Sequence, residues 1–253
     1  MISKNQIKEV NALHLKKFRD EHNLFIAEGV KIIEEIILQC PQLIKELFVT
    51  NDYILRNSNL VTGKKINYAL VSDEELKKIS AQTKPNGALA VCTYFETEKS
   101  EFDLNENFSL YLDDVRDPGN LGTIIRMADW FGIKEIFCSL ASTEIYNPKT
   151  IQASMGAFLR VKINYVELKD IAKENSFPVY GAVMSGENLY RQKLKNGLII
   201  IGNESNGISK NNVNLITHPI TIPASENNKT ESLNAAMAAA IICGEFFKQL
   251  KSK

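Results

Sequence analysis

Leu198-Ile199-Ile200-Ile201-Gly202-Asn203-Glu204-Ser205-Asn206-Gly207-Ile208 and, further on, His218-Pro219-Ile220-Thr221-Ile222-Pro223 and Ser232-Leu233-Asn234-Ala235 are the segments that decide the fold. Four β-compatible apolar residues, Leu198–Ile201, stopping at a glycine read as a buried parallel-sheet strand. Pro219–Pro223 reads as a second short strand. A loop, Ala224–Glu231, follows, and then a helix expected to start near Ser232, whose hydroxyl can accept from the free N–H groups of a first turn. Ala235, Ala236, Ala238, Ala239 and Ala240 keep that helix thin, so another backbone can pack close to it. Two strand-end loops and a helix start make a pocket rich in backbone groups, and open α/β sheets bind ligands at the carboxyl ends of their strands. The same features also suit an alanine-rich core helix behind two surface turns.

Outward from there, 253 residues with 44% apolar and 24% charged side chains suggest one or two globular domains. Thirty basic residues balance thirty acidic ones, so any nucleic-acid contact rests on a local patch rather than on net charge. The N-terminal segment has no apolar signal core and Leu233–Cys243 is too short to span a bilayer, so a cytoplasmic protein with no membrane partner is expected. Cys40, Cys92, Cys138 and Cys243 are scattered, and His14, His22 and His218 do not cluster. No metal site and no disulfide framework are expected, and most of the thiols read as buried.

Residues 1–96 read as a small α/β unit. Lys4–Arg19 is a basic helix candidate, and Phe25 to Ile37 form an apolar set with Gly29 at a bend. Glu46–Thr50, Asn67–Val71 and Ala88–Thr93 read as strands. Ser72 and Glu75 form a capping box opening a helix. Glu96–Asn107, charged and aperiodic, is the candidate linker. A second domain, residues 107–253, opens with the strand Phe108–Val115. A helix from about Asn120 to Phe131 follows, closed by Gly132, and then the strand Ile136–Cys138. Arg126 is the oddity of that helix, a cation among Leu121, Ile124, Ile125, Met127 and Ala128. In Tyr146–Leu159 the small residues Ala153, Ser154, Gly156 and Ala157 permit close contact with a neighbouring element. Strand Val161–Val166, helix Lys169–Asn175, strand Val179–Val183 and a polar loop Ser185–Asn188 complete the pass.

Several chemistries lack their residues. Gly202–Gly207 has the outer glycines of a phosphate loop without the following Lys-Ser/Thr, and no strand is followed by G-x-G-x-x-G or G-x-S-x-G.

Three stretches in order resemble the TrmH/SpoU family of RNA ribose 2′-O-methyltransferases. They are Asp117-Pro118-Gly119-Asn120-Leu121-Gly122 through Arg126 (N-x-G-x-x-x-R), Ile201-Gly202-Asn203-Glu204-Ser205-Asn206-Gly207-Ile208 (G-x-E-x-x-G), and Ile222-Pro223 through Ser232-Leu233-Asn234-Ala235 (I-P…S-L-N). Ala153-Ser154-Met155-Gly156-Ala157 is similar to an accessory signature. The resemblance covers about Asn107–Leu250, and residues 1–96 more loosely resemble the L30e-like RNA-binding domain that often precedes this fold. It implies an α/β fold whose C-terminal half is a trefoil-knotted, mainly parallel sheet flanked by helices. It also implies bound S-adenosylmethionine, a homodimer, and an RNA substrate, ribosomal RNA ahead of tRNA. Gly202, Ile222 and Leu233 match cofactor-contacting positions, and Asn120, Arg126, Glu204, Ser232 and Asn234 match the catalytic set, with Glu204 pairing Arg126 or holding a loop. The loop Ala224–Glu231 is slightly longer than in well-known members, and Ala235 replaces a usual Val. The competing reading is a non-catalytic RNA-binding protein that keeps the fold; a base methyltransferase is disfavoured by the N-x-G-x-x-x-R match.

Overall fold

A computed structural model describes residues 2–64, 66–96, 102–172 and 177–250. By its contacts the chain forms two compact units, Met1–Glu98 with Glu144–Leu159, and Lys99–Thr143 with Arg160–Lys253. The expected linker Glu96–Asn107 falls in part on residues 97–101, outside those described.

In the first unit the elements run α1 (Lys4–Ala12), α2 (Lys16–His22), β1 (Leu24–Glu28), α3 (Val30–Gln39), β2 (Ile44–Val49), α4 (Asn51–Gly63), β3 (Ala69–Leu70), α5 (Asp73–Ile79) and β4 (Ala88–Thr93). The sheet order is β1-β4-β2-β3, with β4 antiparallel to β1 and β2, and β3 parallel to β2. The expected single helix Lys4–Arg19 is two helices. The chain turns at Leu13–Leu15, where the buried Arg19 donates to Leu13 O at 2.7 Å and His14 Nε2 meets Ile79 O at 3.1 Å. Gly29 has φ +103° at the turn into α3, the bend that its sequence position suggested. Ile32, Ile33, Ile36 and Ile37 bury one face of α3, each removal from water stabilising by about 1.5–3 kcal/mol.

Residues 144–159, read from sequence as part of the second half, pack within this first unit. Glu144 pairs with the buried Arg19. Tyr146 stacks on Tyr94 at 3.7 Å and 11°, its hydroxyl oxygen accepts from Phe95 N at 2.9 Å, and burial pushes its phenol up to about 12. The segment contains α7 (Pro148–Ser154), which lies against β1, and a short turn of helix at Ala157–Leu159, where Phe158 meets Phe25 edge-on at 6.0 Å. The neighbour that the small residues approach is α3. A Cβ on Gly156 would sit 3.1 Å from Glu35 Cγ, and Gly156 holds φ +91°.

The second unit contains β5 (Phe108–Leu112), α6 (Pro118–Trp130), β6 (Glu135–Cys138), β7 (Lys162–Tyr165), α8 (Leu168–Ala172), β8 (Val179–Asn188), β9 (Gly197–Ile201), α9 (Lys210–Val213), β10 (His218–Thr221) and α10 (Ala235–Leu250). Its six strands, in the order β10-β8-β9-β5-β6-β7, pair in parallel throughout. β5, β6 and β9 are buried at every position, as strands covered on both faces require. The chain steps outward from β5 through β6 to β7, then returns to the other side of β5 with β8 and β9. The order therefore reverses between β5 and β9, and a crevice opens at the carboxyl ends there.

Four expectations need correction or trimming. Ser185–Asn188 is strand, not loop, because its backbone pairs with β10 (Ile220↔Glu187, Thr221↔Asn188). Gly186 permits this, since a Cβ there would lie 2.4 Å from the Ile220 carbonyl carbon. α10 starts at Ala235 rather than near Ser232: Asn234 Oδ1 accepts from Ala236 N at 2.9 Å and Met237 N at 3.3 Å, which makes Asn234 the cap. α6 starts at Pro118, capped by Asp117, whose Oδ1 accepts from Asn120 N at 2.8 Å. Of the expected helix Lys169–Asn175, α8 supplies the part up to Ala172, and residues 173–175 lie outside those described.

Candidate active site

The strand β9 delivers Ile201 to the carboxyl edge of the sheet, and the chain then folds back on itself. Asn203 N donates to Gly207 O at 3.0 Å and Gly207 N to Asn203 O at 2.9 Å. The Asn203 carboxamide holds the turn inside and out: Oδ1 accepts from Ser205 N and Asn206 N, and Nδ2 donates to Asp114 O at 2.8 Å. Gly207 closes it at φ +67°. This return explains Gly202. A Cβ there would lie 2.3 Å from the Gly207 carbonyl carbon and 2.4 Å from Ile208 N, so bare backbone is required by the chain itself. Asp113, 3% exposed, fixes the far side by accepting from Ser209 N at 2.7 Å.

Beside this loop lies a cavity of about 810 Å³, within the roughly 300–1,000 Å³ usual for ligand sites. Gly202, Ile222 and Leu233 line it, with Glu204 and Ser232 on the same wall and Ala235, Ala238 and Ile242 of α10 behind. The thin alanine face of α10 therefore leaves room for the cavity as well as for the sheet.

At its rim three elements meet in one hydrogen-bonded chain. Asn120, in the first turn of α6, donates from Nδ2 to the Glu204 carboxylate. Its Oδ1 accepts from Asn234 Nδ2 at 2.9 Å. Ser232 Oγ donates to Glu204 O at 3.4 Å. Four of the five expected polar residues are thus brought together. Arg126 is not among them. It is exposed on α6, outside the cavity lining, and makes no ion pair among the described residues. The expected Glu204–Arg126 pair is replaced by Glu204–Asn120, so Glu204 holds the rim together instead of neutralising the guanidinium.

Sequence reasoning placed Asp117 at the head of the N-x-G-x-x-x-R stretch and Gly186 in a polar loop without a role for either, and did not single out Asp113. Asp117 carried a signal, an acidic residue immediately before Pro118 and three before Asn120. Asp113 carried a weaker one, a carboxylate directly after an apolar strand. Gly186 carried none, since its reason is a strand more than thirty residues away.

With this geometry in place the comparisons become specific. A model of the SpoU rRNA methylase family matches residues 107–244. The chain belongs to that family. The MRM3-like substrate-binding domain matches residues 4–90, in the unit that holds none of these rim residues. Among solved structures, a TrmH-family protein from Porphyromonas gingivalis is 35% identical over 97% of this chain and 98% of its own, with a TM-score of 0.83. An AdoMet-bound rRNA methyltransferase from Sinorhizobium meliloti is 25% identical over 99% and 97%, with a TM-score of 0.84. The 23S rRNA (guanosine(2553)-2′-O)-methyltransferase of Bacillus subtilis is 29% identical over 95% of each chain. This SpoU-family member thus shares nearly its full length, both units included, with these proteins.

Proposed function

We propose that this protein transfers a methyl group from S-adenosylmethionine to a ribose 2′-hydroxyl of RNA, ribosomal RNA ahead of tRNA. The observation that carries this is the cavity at the ends of β8, β9 and β10, bounded by the G-x-E-x-x-G turn and the I-P…S-L-N segment and edged by the Glu204–Asn120–Asn234 chain. The residues suit the cofactor. The lining combines apolar side chains such as Ile201, Ile222 and Leu233 with polar ones such as Asn203, Glu204 and Ser232, and Gly202 is held without a Cβ by its own chain. In our reading Gly202, Ile222 and Leu233 hold the cofactor.

Bound S-adenosylmethionine supplies a methyl group on a sulfonium, whose charge disappears during transfer, so an apolar and carbonyl-lined pocket suits it. The protein's part is placement of the hydroxyl, which by itself accounts for several kcal/mol of barrier. Asn120 has both carboxamide ends engaged and is a rigid part of the rim. Ser232 and Asn234, anchored on Glu204 and Asn120, orient the ribose. Arg126 is a fork of donors with no acceptor and no anion among the described residues to occupy it; it clamps the phosphate of the target nucleotide.

The reading extends to a homodimer. Trp130 at the end of α6 is 85% exposed and Met237 on α10 is 58% exposed. The two helices pack together, with Phe131 and Phe247 at 5.5 Å, so both exposed apolar side chains sit on one helix pair. A second copy of this chain is its natural cover. The reading also includes a cytoplasmic location and a trefoil knot through the strand-end loops and α10. Among the described residues no helix is long and apolar enough to cross a membrane and no group of His, Cys, Asp or Glu is arranged for a metal. Calorimetry with S-adenosylhomocysteine tests the reading: saturable binding is expected, and its absence would favour a non-catalytic RNA-binding protein.

A further inference from the structure

The first unit has a cavity of its own, of about 410 Å³, that the proposed chemistry does not use. Ile26 of β1, Ala81 and Pro148 line it together with the polar side chains of His14, Gln82, Asn147 and Gln152. The Gln82 and Gln152 side-chain amides have no partner among the described residues. Asn147 uses Oδ1 to accept from Lys149 N at 2.9 Å, which leaves its Nδ2 donor free. His14 Nε2 faces the Ile79 carbonyl at 3.1 Å. A carbonyl only accepts, so that nitrogen carries the hydrogen and Nδ1 of the neutral ring is an acceptor. Glu28, 8% exposed, completes the wall, its carboxylate accepting from Ser80 Oγ and from Ala81 N at 3.1 Å.

We propose that this cavity takes one unpaired nucleobase of the RNA substrate, a site in the first unit distinct from the methyl-transfer cavity. The inference rests on the RNA reading above. Three facts select a base over other parts of RNA. The open groups are carboxamides and one nitrogen of an imidazole, which offer donors and acceptors side by side, as a base edge does. The lining also offers apolar surface at Ile26, Ala81 and Pro148, as a ring face requires. A buried carboxylate in the wall repels a phosphate, and the one cation in the lining, Lys149, is an exposed side chain. Sequence-specific RNA recognition acts mainly on unstacked bases in loops and bulges, whose edges are free to be read. A cavity that admits one base therefore selects a structural context of the target as well as a nucleotide.

The test uses the full-length protein and ribosomal RNA extracted from cells lacking the gene. Gln82 and Gln152 are partly or fully exposed, so the double variant Gln82→Ala/Gln152→Ala should fold, checked by an unchanged urea unfolding transition of the first unit. RNA affinity is then measured over a range of salt concentrations beside wild type and Lys149→Ala. The double variant is expected to bind RNA about tenfold more weakly or worse, with an unchanged slope of log affinity against log salt, because no phosphate contact is lost. An unchanged affinity overturns the proposal. A weakened affinity with a slope shallower by about one also overturns it and makes the cavity a phosphate site. Wild type that binds no RNA at all would instead sink the RNA reading on which this one stands.

Discussion

At the residue scale, Asn120 shows how much of the site depends on contacts rather than on composition. Its membership of a motif was readable from N-x-G-x-x-x-R, but its partners were not. Arg126 lies six residues further along α6 and, at about 100° per residue, on a different face from Asn120. Glu204 reaches Asn120 on one face and leaves Arg126 to solvent. Arg126→Ala should therefore leave S-adenosylhomocysteine affinity nearly unchanged and cut single-turnover methyl transfer by about two orders of magnitude, the scale of losing one positioned transition-state contact. Near-wild-type turnover would remove Arg126 from the reaction. Gly202 makes a different prediction. A valine side chain there starts inside the backbone of Gly207 and Ile208, so Gly202→Val should open the Asn203–Gly207 turn and abolish S-adenosylhomocysteine binding. The first unit should keep its own unfolding transition. Native ligand affinity in this variant would show that the turn is not part of the pocket.

Element boundaries were legible where their cause was local. Ser72 and Glu75 were read as a capping box, and the helix α5 has it: Ser72 Oγ accepts from Glu75 N, and Glu75 accepts from Ser72 N at 3.0 Å and Ile2 N at 3.1 Å. The start of α10 was misplaced because Ser232 and Asn234 are both good cap types, and only the geometry shows which side chain reaches the free N–H groups. The length of β8 was illegible for the same kind of reason, since Ser185–Asn188 has no strand-like composition and is ordered by β10. Ser72→Ala should destabilise the first unit by about 1 kcal/mol in urea unfolding. The backbone N–H of Ser72, and then that of Ile2, hold the Glu75 carboxyl below the usual glutamate range against a smaller opposing effect of desolvation. A carboxyl lowered in the folded state contributes stability above its unfolded value and loses it as pH falls through the folded one. Glu75→Gln should thus be less stable than wild type at neutral pH, with the gap closing in acid. A gap that is constant with pH would mean that the charge contributes nothing.

On the scale of the whole molecule, the parallel sheet and the alternation of strands with helices were readable from apolar runs ending at glycine or proline. The assignment of residues 144–159 was not. Tyr146, Ile151 and Phe158 look like any apolar helix face, and what they touch, Phe25 and Tyr94 included, lies more than fifty residues away. A fragment starting near Asn105 therefore loses the partners of that segment. It should be less soluble than the full chain; a soluble, cofactor-binding fragment would show that 144–159 can cover itself. Trp130→Glu replaces the exposed indole of α6 with a charge and should halve the mass in sedimentation while leaving the fold intact. An unchanged mass would place the dimer contact elsewhere or exclude the dimer. The central claim, ribose methylation of RNA, is tested most directly by mapping 2′-O-methyl groups in ribosomal RNA and tRNA from cells with and without the gene. The account predicts that a defined ribose in ribosomal RNA loses its methyl group on deletion and regains it with the wild-type gene but not with Arg126→Ala. Identical 2′-O-methyl maps in the two strains would contradict it.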